Sequence, residues 1–109
     1  MSLYFPTPDE YNRKTIFPGV TIQTCCAERM MLSLATLQAH SVVPEHSHPH
    51  EQVGIVLEGK LTFTIGGEEK TLGPGEMFRI PGNVKHRVVA QGAPAKALDI
   101  FYPIRDDYR

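Results

Sequence analysis

Apolar and polar residues alternate along most of this chain in short runs separated by glycine and proline. Between Met30 and Thr36 the positions Met30, Leu32, Leu34 and Thr36 share one face, while Met31, Ser33 and Ala35 share the other. That period of two predicts a largely buried strand. Further strands are predicted at Val20 to Cys25, Gln52 to Leu57, Lys60 to Ile65, Glu69 to Leu72, Glu76 to Ile80, Arg87 to Ala90 and Lys96 to Tyr102. Glu58-Gly59 and Gly66-Gly67 supply the positive φ angles of tight hairpins, and Gly73-Pro74-Gly75 can continue neither neighbouring strand. Nine glycines and nine prolines leave no room for a long helix. Many short strands at close spacing predict an all-β sandwich or closed barrel. Residues 1–19 carry Pro6, Pro8 and Pro18 and are expected to form an N-terminal arm that wraps the barrel or a neighbouring subunit. Residues 20–109 are then the barrel.

Composition narrows this without changing it. With 109 residues and 41% hydrophobic content the chain can bury one core but not two. Eleven basic residues stand against twelve acidic ones, for a net charge of -1, and no basic run gathers, so nucleic acid is excluded as the expected partner. The longest apolar runs fall far short of the ~20 residues that a membrane helix needs. The N-terminus shows no apolar signal-peptide core, so no membrane association and a cytoplasmic location are expected. Cys25 and Cys26 are adjacent, a spacing that rarely reaches disulfide geometry, and are read as strand residues.

The chemistry concentrates in His46-Ser47-His48-Pro49-His50-Glu51-Gln52. In extended chain, residues two apart share a face, so His46 and His48 can offer imidazole nitrogens to one ion at about 2.0–2.1 Å. Pro49 ends regular pairing, and Gln52 opens the next predicted strand, where its amide oxygen can reach the same ion. His50 and Glu51 compete with Gln52 for that place, Glu being the commoner oxygen ligand, but the strand period turns Glu51 to the opposite face. His86, after the turn Pro81-Gly82-Asn83, is the candidate fourth ligand, and His40 is expected to be ordinary. Three imidazoles and one oxygen suit Zn, Ni, Mn or Fe. A neutral amide in place of a carboxylate leaves the ion its full charge and favours Lewis-acid over redox chemistry. In the last predicted strand Asp99 and Phe101 share one face, with Arg105 just beyond Pro103. If that face lines the barrel, Asp99 is a candidate general acid or base and Arg105 a clamp for a substrate carboxylate. An ordinary Asp99–Arg105 ion pair over a core Phe101 is the competing reading.

These residues resemble the cupin family. Its first motif runs Gly, five residues, His-x-His, three or four residues, Glu, six residues, Gly; His46, His48, Gln52 and Gly59 fall at those spacings. Its second runs Gly, five residues, Pro-x-Gly, two residues, His; Gly75, Pro81 and His86 match. The chain departs from the pattern at His40 and Asn83, where glycines are expected, and at Gln52, where the family usually has Glu. The resemblance implies a double-stranded β-helix, the jelly-roll cupin barrel, holding one divalent transition metal, and a homodimer built by exchange of terminal segments.

His-x-His-Pro-His-Glu-Gln followed by Asp-x-Phe-x-Pro-x-Arg looks like the KdgF family of pectin-degradation cupins, which open cyclic 4,5-unsaturated uronate monosaccharides to linear ketonised forms. Carried over, metal binding passes to His46, His48, Gln52 and His86, and catalytic roles to Asp99, Phe101 and Arg105. The implied partner is a small acidic sugar, and the implied reaction a metal-dependent isomerisation. Two rivals stay open at this point: a metal-dependent dioxygenase or other isomerase of cupin type, and a non-catalytic small-molecule-binding cupin.

Overall fold

The computed structural model describes residues 2–109, folded as two antiparallel sheets. The ten strands are β1 (Asn12–Phe17), β2 (Val20–Cys26), β3 (Met31–Leu37), β4 (Val42–His46), β5 (Glu51–Glu58), β6 (Leu61–Ile65), β7 (Glu68–Leu72), β8 (Met77–Ile80), β9 (His86–Ala90) and β10 (Ala95–Tyr102). One sheet runs β1-β2-β3-β10-β5-β8 and the other β4-β9-β6-β7, the all-β jelly roll that the short-strand pattern and the motifs imply. Single 3₁₀ turns at Pro8–Glu10 and Asp106–Tyr108 flank the strands. No helix among the described residues is long and apolar enough to cross a membrane.

Residues 12–17, expected within the arm, form β1 at the edge of the larger sheet, with Ile16 and Phe17 packed on the core. The strand is easy to miss because its first four positions, Asn12 to Thr15, are all exposed and carry no alternation of character. It needs only one partner strand and one apolar end. Along β3 the buried set is Met31, Ser33, Ala35 and Leu37, so the bulkier Leu32 and Leu34 face outward.

The inward positions of the larger sheet are graded along the barrel. Val20, Leu37 and Ala95 pair across one level, and Ile22, Ala35, Ala97 and Val56 across the next, forming with Leu61, Phe63 and Leu72 the apolar core. The following level carries Thr24, Ser33 and Asp99 opposite Gly54, and the last Met31, Phe101, Gln52 and Ile80. Apolar burial at about 25 cal/mol per Å² therefore anchors one end of the barrel, and the polar groups gather at the other.

Tight turns stand where the glycines put them. Gly66 and Gly67 join β6 to β7 with φ of 57° and 82°. The two residues that replace motif glycines, His40 and Asn83, also adopt positive φ, 65° and 66°. The fold keeps the left-handed turns at both places at a local conformational cost, smaller for Asn than for His.

Candidate metal centre

His46 closes β4, His48 follows it in the loop to β5, and His86 opens β9, directly opposite His46 in the β4–β9 ladder. A one-residue irregularity between Val43 and His46 sets that pairing. The loop is held to the Pro81-Gly82-Asn83 turn, where the Asn83 N–H donates to the His48 carbonyl at 2.8 Å. Gly82 is required there, because a Cβ would lie 2.6 Å from the Pro49 carbonyl oxygen. Ligand atoms of His46, His48 and His86 come within 4.8 Å of one another.

The hydrogen bonds decide which nitrogens converge. Nδ1 of His46 lies 2.8 Å from the Pro44 carbonyl, Nδ1 of His86 2.8 Å from the Val84 carbonyl, and Nδ1 of His48 3.0 Å from the His50 carbonyl. A carbonyl only accepts, so each Nδ1 donates to it, and Nε2 is the nitrogen left to face the other rings. His86 Nε2 is buried with no hydrogen-bond partner among the described residues. His48 Nε2 lies 3.2 Å from Gln52 Oε1. The Gln52 amide is oriented by Asp99, whose Oδ1 accepts from Nε2 at 3.1 Å, so its oxygen is the atom turned to the imidazole. Two lone-pair donors facing each other, beside a buried imidazole with nothing to bind, fit a cation held among them. The backbone carbonyls behind the rings are the outer partners that metal-ligating histidines use. The donor set suits a divalent transition metal and does not discriminate among them.

Burial holds the His48 and His86 rings neutral. The pKa of His48 is lowered to about 4, first by burial and then by the charges of Arg105 and His86. That of His86 is lowered chiefly by burial. Both are then unprotonated ligands at neutral pH. Asp99 moves the other way, to about 6, because burial outweighs its hydrogen bond from Gln52 and the charge of Arg105. Gly54 makes room for it: a Cβ there would collide with the Phe78 ring and stand 2.8 Å from Asp99 Oδ1.

His46, Gln52, His86, Asp99, Phe101 and Arg105 line one cavity of about 50 Å³. His48 borders it through Phe101, whose ring meets the imidazole edge-on at 5.7 Å between centroids and is only 1% exposed. Glu51 is exposed on the outer face, and His40 is exposed and apart from the cluster. Arg105 is 8% exposed, and the acid that it pairs with is not Asp99. Its Nε and Nη2 donate to the two oxygens of Asp107, each at 3.2 Å, and its guanidinium lies 3.7 Å above the Tyr108 ring. Asp107 and Tyr108 escaped the sequence reading. Their only signal is two acids and an aromatic within three residues of Arg105.

A family model described as "Cupin domain" matches residues 33–101. Among curated proteins no significant sequence relative is found. Of the solved structures, KdgF from Halomonas sp. is 27% identical with a TM-score of 0.83, over 93% of this chain and 94% of that one. An RmlC-like cupin from Shewanella frigidimarina is 26% identical with a TM-score of 0.88, over 99% and 97%. A variant of the oxalate decarboxylase of Bacillus subtilis, 15% identical with a TM-score of 0.82 over 93% of this chain and 30% of that one, shares the fold. A family model over well more than half of the chain, on a barrel of the same course, leaves one assignment: the chain belongs to the cupin family.

Proposed function

We propose that this cupin is a metal-dependent isomerase that opens cyclic 4,5-unsaturated uronate monosaccharides to their linear keto forms, as the resemblance to the KdgF family implies. The observation that carries the reading is the Gln52 amide. Its oxygen faces His48 and its nitrogen holds Asp99, so the proton-carrying acid is built onto the proposed metal ligand set.

In the proposed reaction the anomeric hydroxyl loses its proton, the C1–O5 bond breaks to leave an aldehyde at C1 and an enolate at C5, and that enolate is protonated at C4 to give the ketone. No atom is gained or lost and no electron leaves the substrate. A divalent ion held by His46, His48, Gln52 and His86 would supply Lewis acidity toward the substrate's hydroxyl oxygens. Asp99, reaching the site through the Gln52 amide, takes the proton of the anomeric oxygen and returns it to C4. Arg105 holds the sugar carboxylate, and Phe101 walls the cavity beneath the ring. The enzyme acts in pectin degradation, in the cytoplasm, as a homodimer.

The test is turnover of 4,5-unsaturated galacturonate by metal-loaded protein, followed as loss of absorbance of the conjugated C4–C5 double bond. Wild type should consume it, and Asp99→Ala should be slower by about 100-fold or more at equal metal content. No consumption with the metal bound overturns the substrate assignment, and O₂ uptake by the Fe(II)-loaded protein would then favour the dioxygenase.

A further inference from the structure

The cavity is too small for the ligand its walls suggest. At about 50 Å³ it has roughly a third of the ~150 Å³ that a protein cavity needs to take up benzene, and a pyranose carrying hydroxyls and a carboxylate is larger than benzene. For such a ring to sit inside the barrel rather than at its open end, part of the wall has to move. Most lining residues lie on strands hydrogen-bonded into the sheets. Arg105 and Tyr108 do not: they belong to the last five residues, beyond the end of β10.

Those five residues are held by the half-buried Tyr108 ring, packed on the core and edge-on to Phe101 at 5.7 Å, and by a set of polar contacts. Arg105 grips both oxygens of Asp107 and covers the Tyr108 ring. The Thr24 hydroxyl donates to the Tyr108 carbonyl at 3.2 Å, and Lys14 Nζ to the Asp107 carbonyl at 2.9 Å. The central pair is lopsided. The Arg105 side chain is 10% exposed, whereas that of Asp107 is 60% exposed. The cation is thus part of the wall, and its partner sits at the rim, where solvent and solutes reach it. The two-pronged grip is also the geometry in which a guanidinium takes any carboxylate.

We propose that Asp107 is a resident stand-in for a ligand carboxylate. An acid entering the site takes over the Arg105 fork, and the Asp106–Tyr108 turn, released, swings off the guanidinium and makes room for the ring. The inference rests on the reading that Arg105 binds the substrate carboxylate, and it makes Asp107 and Tyr108 determinants of specificity. An acidic ligand exchanges one carboxylate for another, whereas a neutral sugar must break the pair and leave Arg105 without a replacement.

Two measurements test it on the metal-loaded protein. Galacturonate, saturated and so unable to react, should bind Asp107→Asn and Asp107→Ala about threefold to tenfold more tightly than wild type by calorimetry, since a partly exposed competing pair is removed. In ¹⁵N NMR the Arg105 Nε–H signal, assigned by its loss in Arg105→Lys, should shift on titration with acetate but not with chloride at the same ionic strength. The amides of Asp106 to Tyr108 should become mobile in the same titration. Unchanged or weaker galacturonate binding by both Asp107 variants overturns the inference, and so does an Arg105 signal that acetate leaves in place. If galacturonate binds neither protein, the acetate titration decides alone. Failure of the underlying reading shows separately, as Arg105→Lys protein that turns over the unsaturated uronate like wild type.

Discussion

Asp99 and His48 are both neighbours of the Gln52 amide, yet burial drives their proton affinities in opposite directions. Asp99 is raised from 3.8 to about 6, so the folded protein binds its proton more readily than the unfolded chain does. Its stabilising contribution is complete below pH 3.8 and is lost as pH rises through 6. His48 is lowered from 6.5 to about 4, so its contribution is complete above 6.5 and is lost as pH falls through 4. In chelator-treated protein the two slopes oppose each other across that window. Asp99→Asn removes one of them while keeping an oxygen for the Gln52 N–H. The urea midpoint of the variant should therefore climb more steeply between about pH 4 and 6.5 than that of wild type, with a relative gain on the order of 2–3 kcal/mol by pH 7. Parallel midpoint curves would show that Asp99 ionises as an ordinary carboxylate. At the same scale the motif spacings located the histidines, because ligand residues must be named in the sequence. The proton on each Nδ1 was not legible, since it depends on carbonyls of Pro44, Val84 and His50 that any residue there would supply.

Between elements, legibility followed how much each strand's environment imposes a pattern. β10 is central, paired on both sides, and its alternation places Asp99 and Phe101 together on one face as expected, a face that the structure turns inward. β1 is an edge with polar character and went unread, and β4 was obscured by Pro44 and by the irregularity before His46. The proposed ligands are themselves shared between sheets. His46 and His86 belong to the smaller one and Gln52 to the larger, so an ion at this point would tie the two together beyond the main apolar cluster. Binding to the folded form alone adds about 2.7 kcal/mol of stability when the free ion is at about one hundred times its Kd. For a chain of this size that corresponds to roughly 10 °C or more in Tm. Chelation should lower the Tm of wild type by such an amount and leave His86→Ala nearly unaffected, and amide exchange should quicken in β4, β5 and β9 together. A chelator response that survives in His86→Ala would remove His86 from the ligand set.

At the scale of the whole molecule, the outer face of the larger sheet is the feature that a lone subunit does not explain. Antiparallel sheets that meet water usually turn polar residues outward. Here Leu32 and Leu34 on β3, Leu98 and Ile100 on β10, Val53 and Ile55 on β5 and Met77 on β8 point away from the core on adjoining strands, and Met77 is 74% exposed. A contiguous apolar face across four adjoining strands is the kind of surface that marks an interaction site. A two-fold axis through it would let each copy cover the other's patch with its own, which is how an isologous dimer buries one surface. The arm offers the other route, since Leu3, Tyr4 and Phe5 are also largely exposed and could lie on a neighbour. The routes separate experimentally. Light scattering should give twice the chain mass at micromolar concentration. Leu32→Lys combined with Met77→Lys should yield a folded monomer if the sheet face forms the dimer, whereas deletion of residues 1–7 should do so if the arm does. A wild-type chain that stays monomeric at about 100 µM, a concentration at which a Kd of about 1 µM would leave few monomers, would overturn the dimer itself.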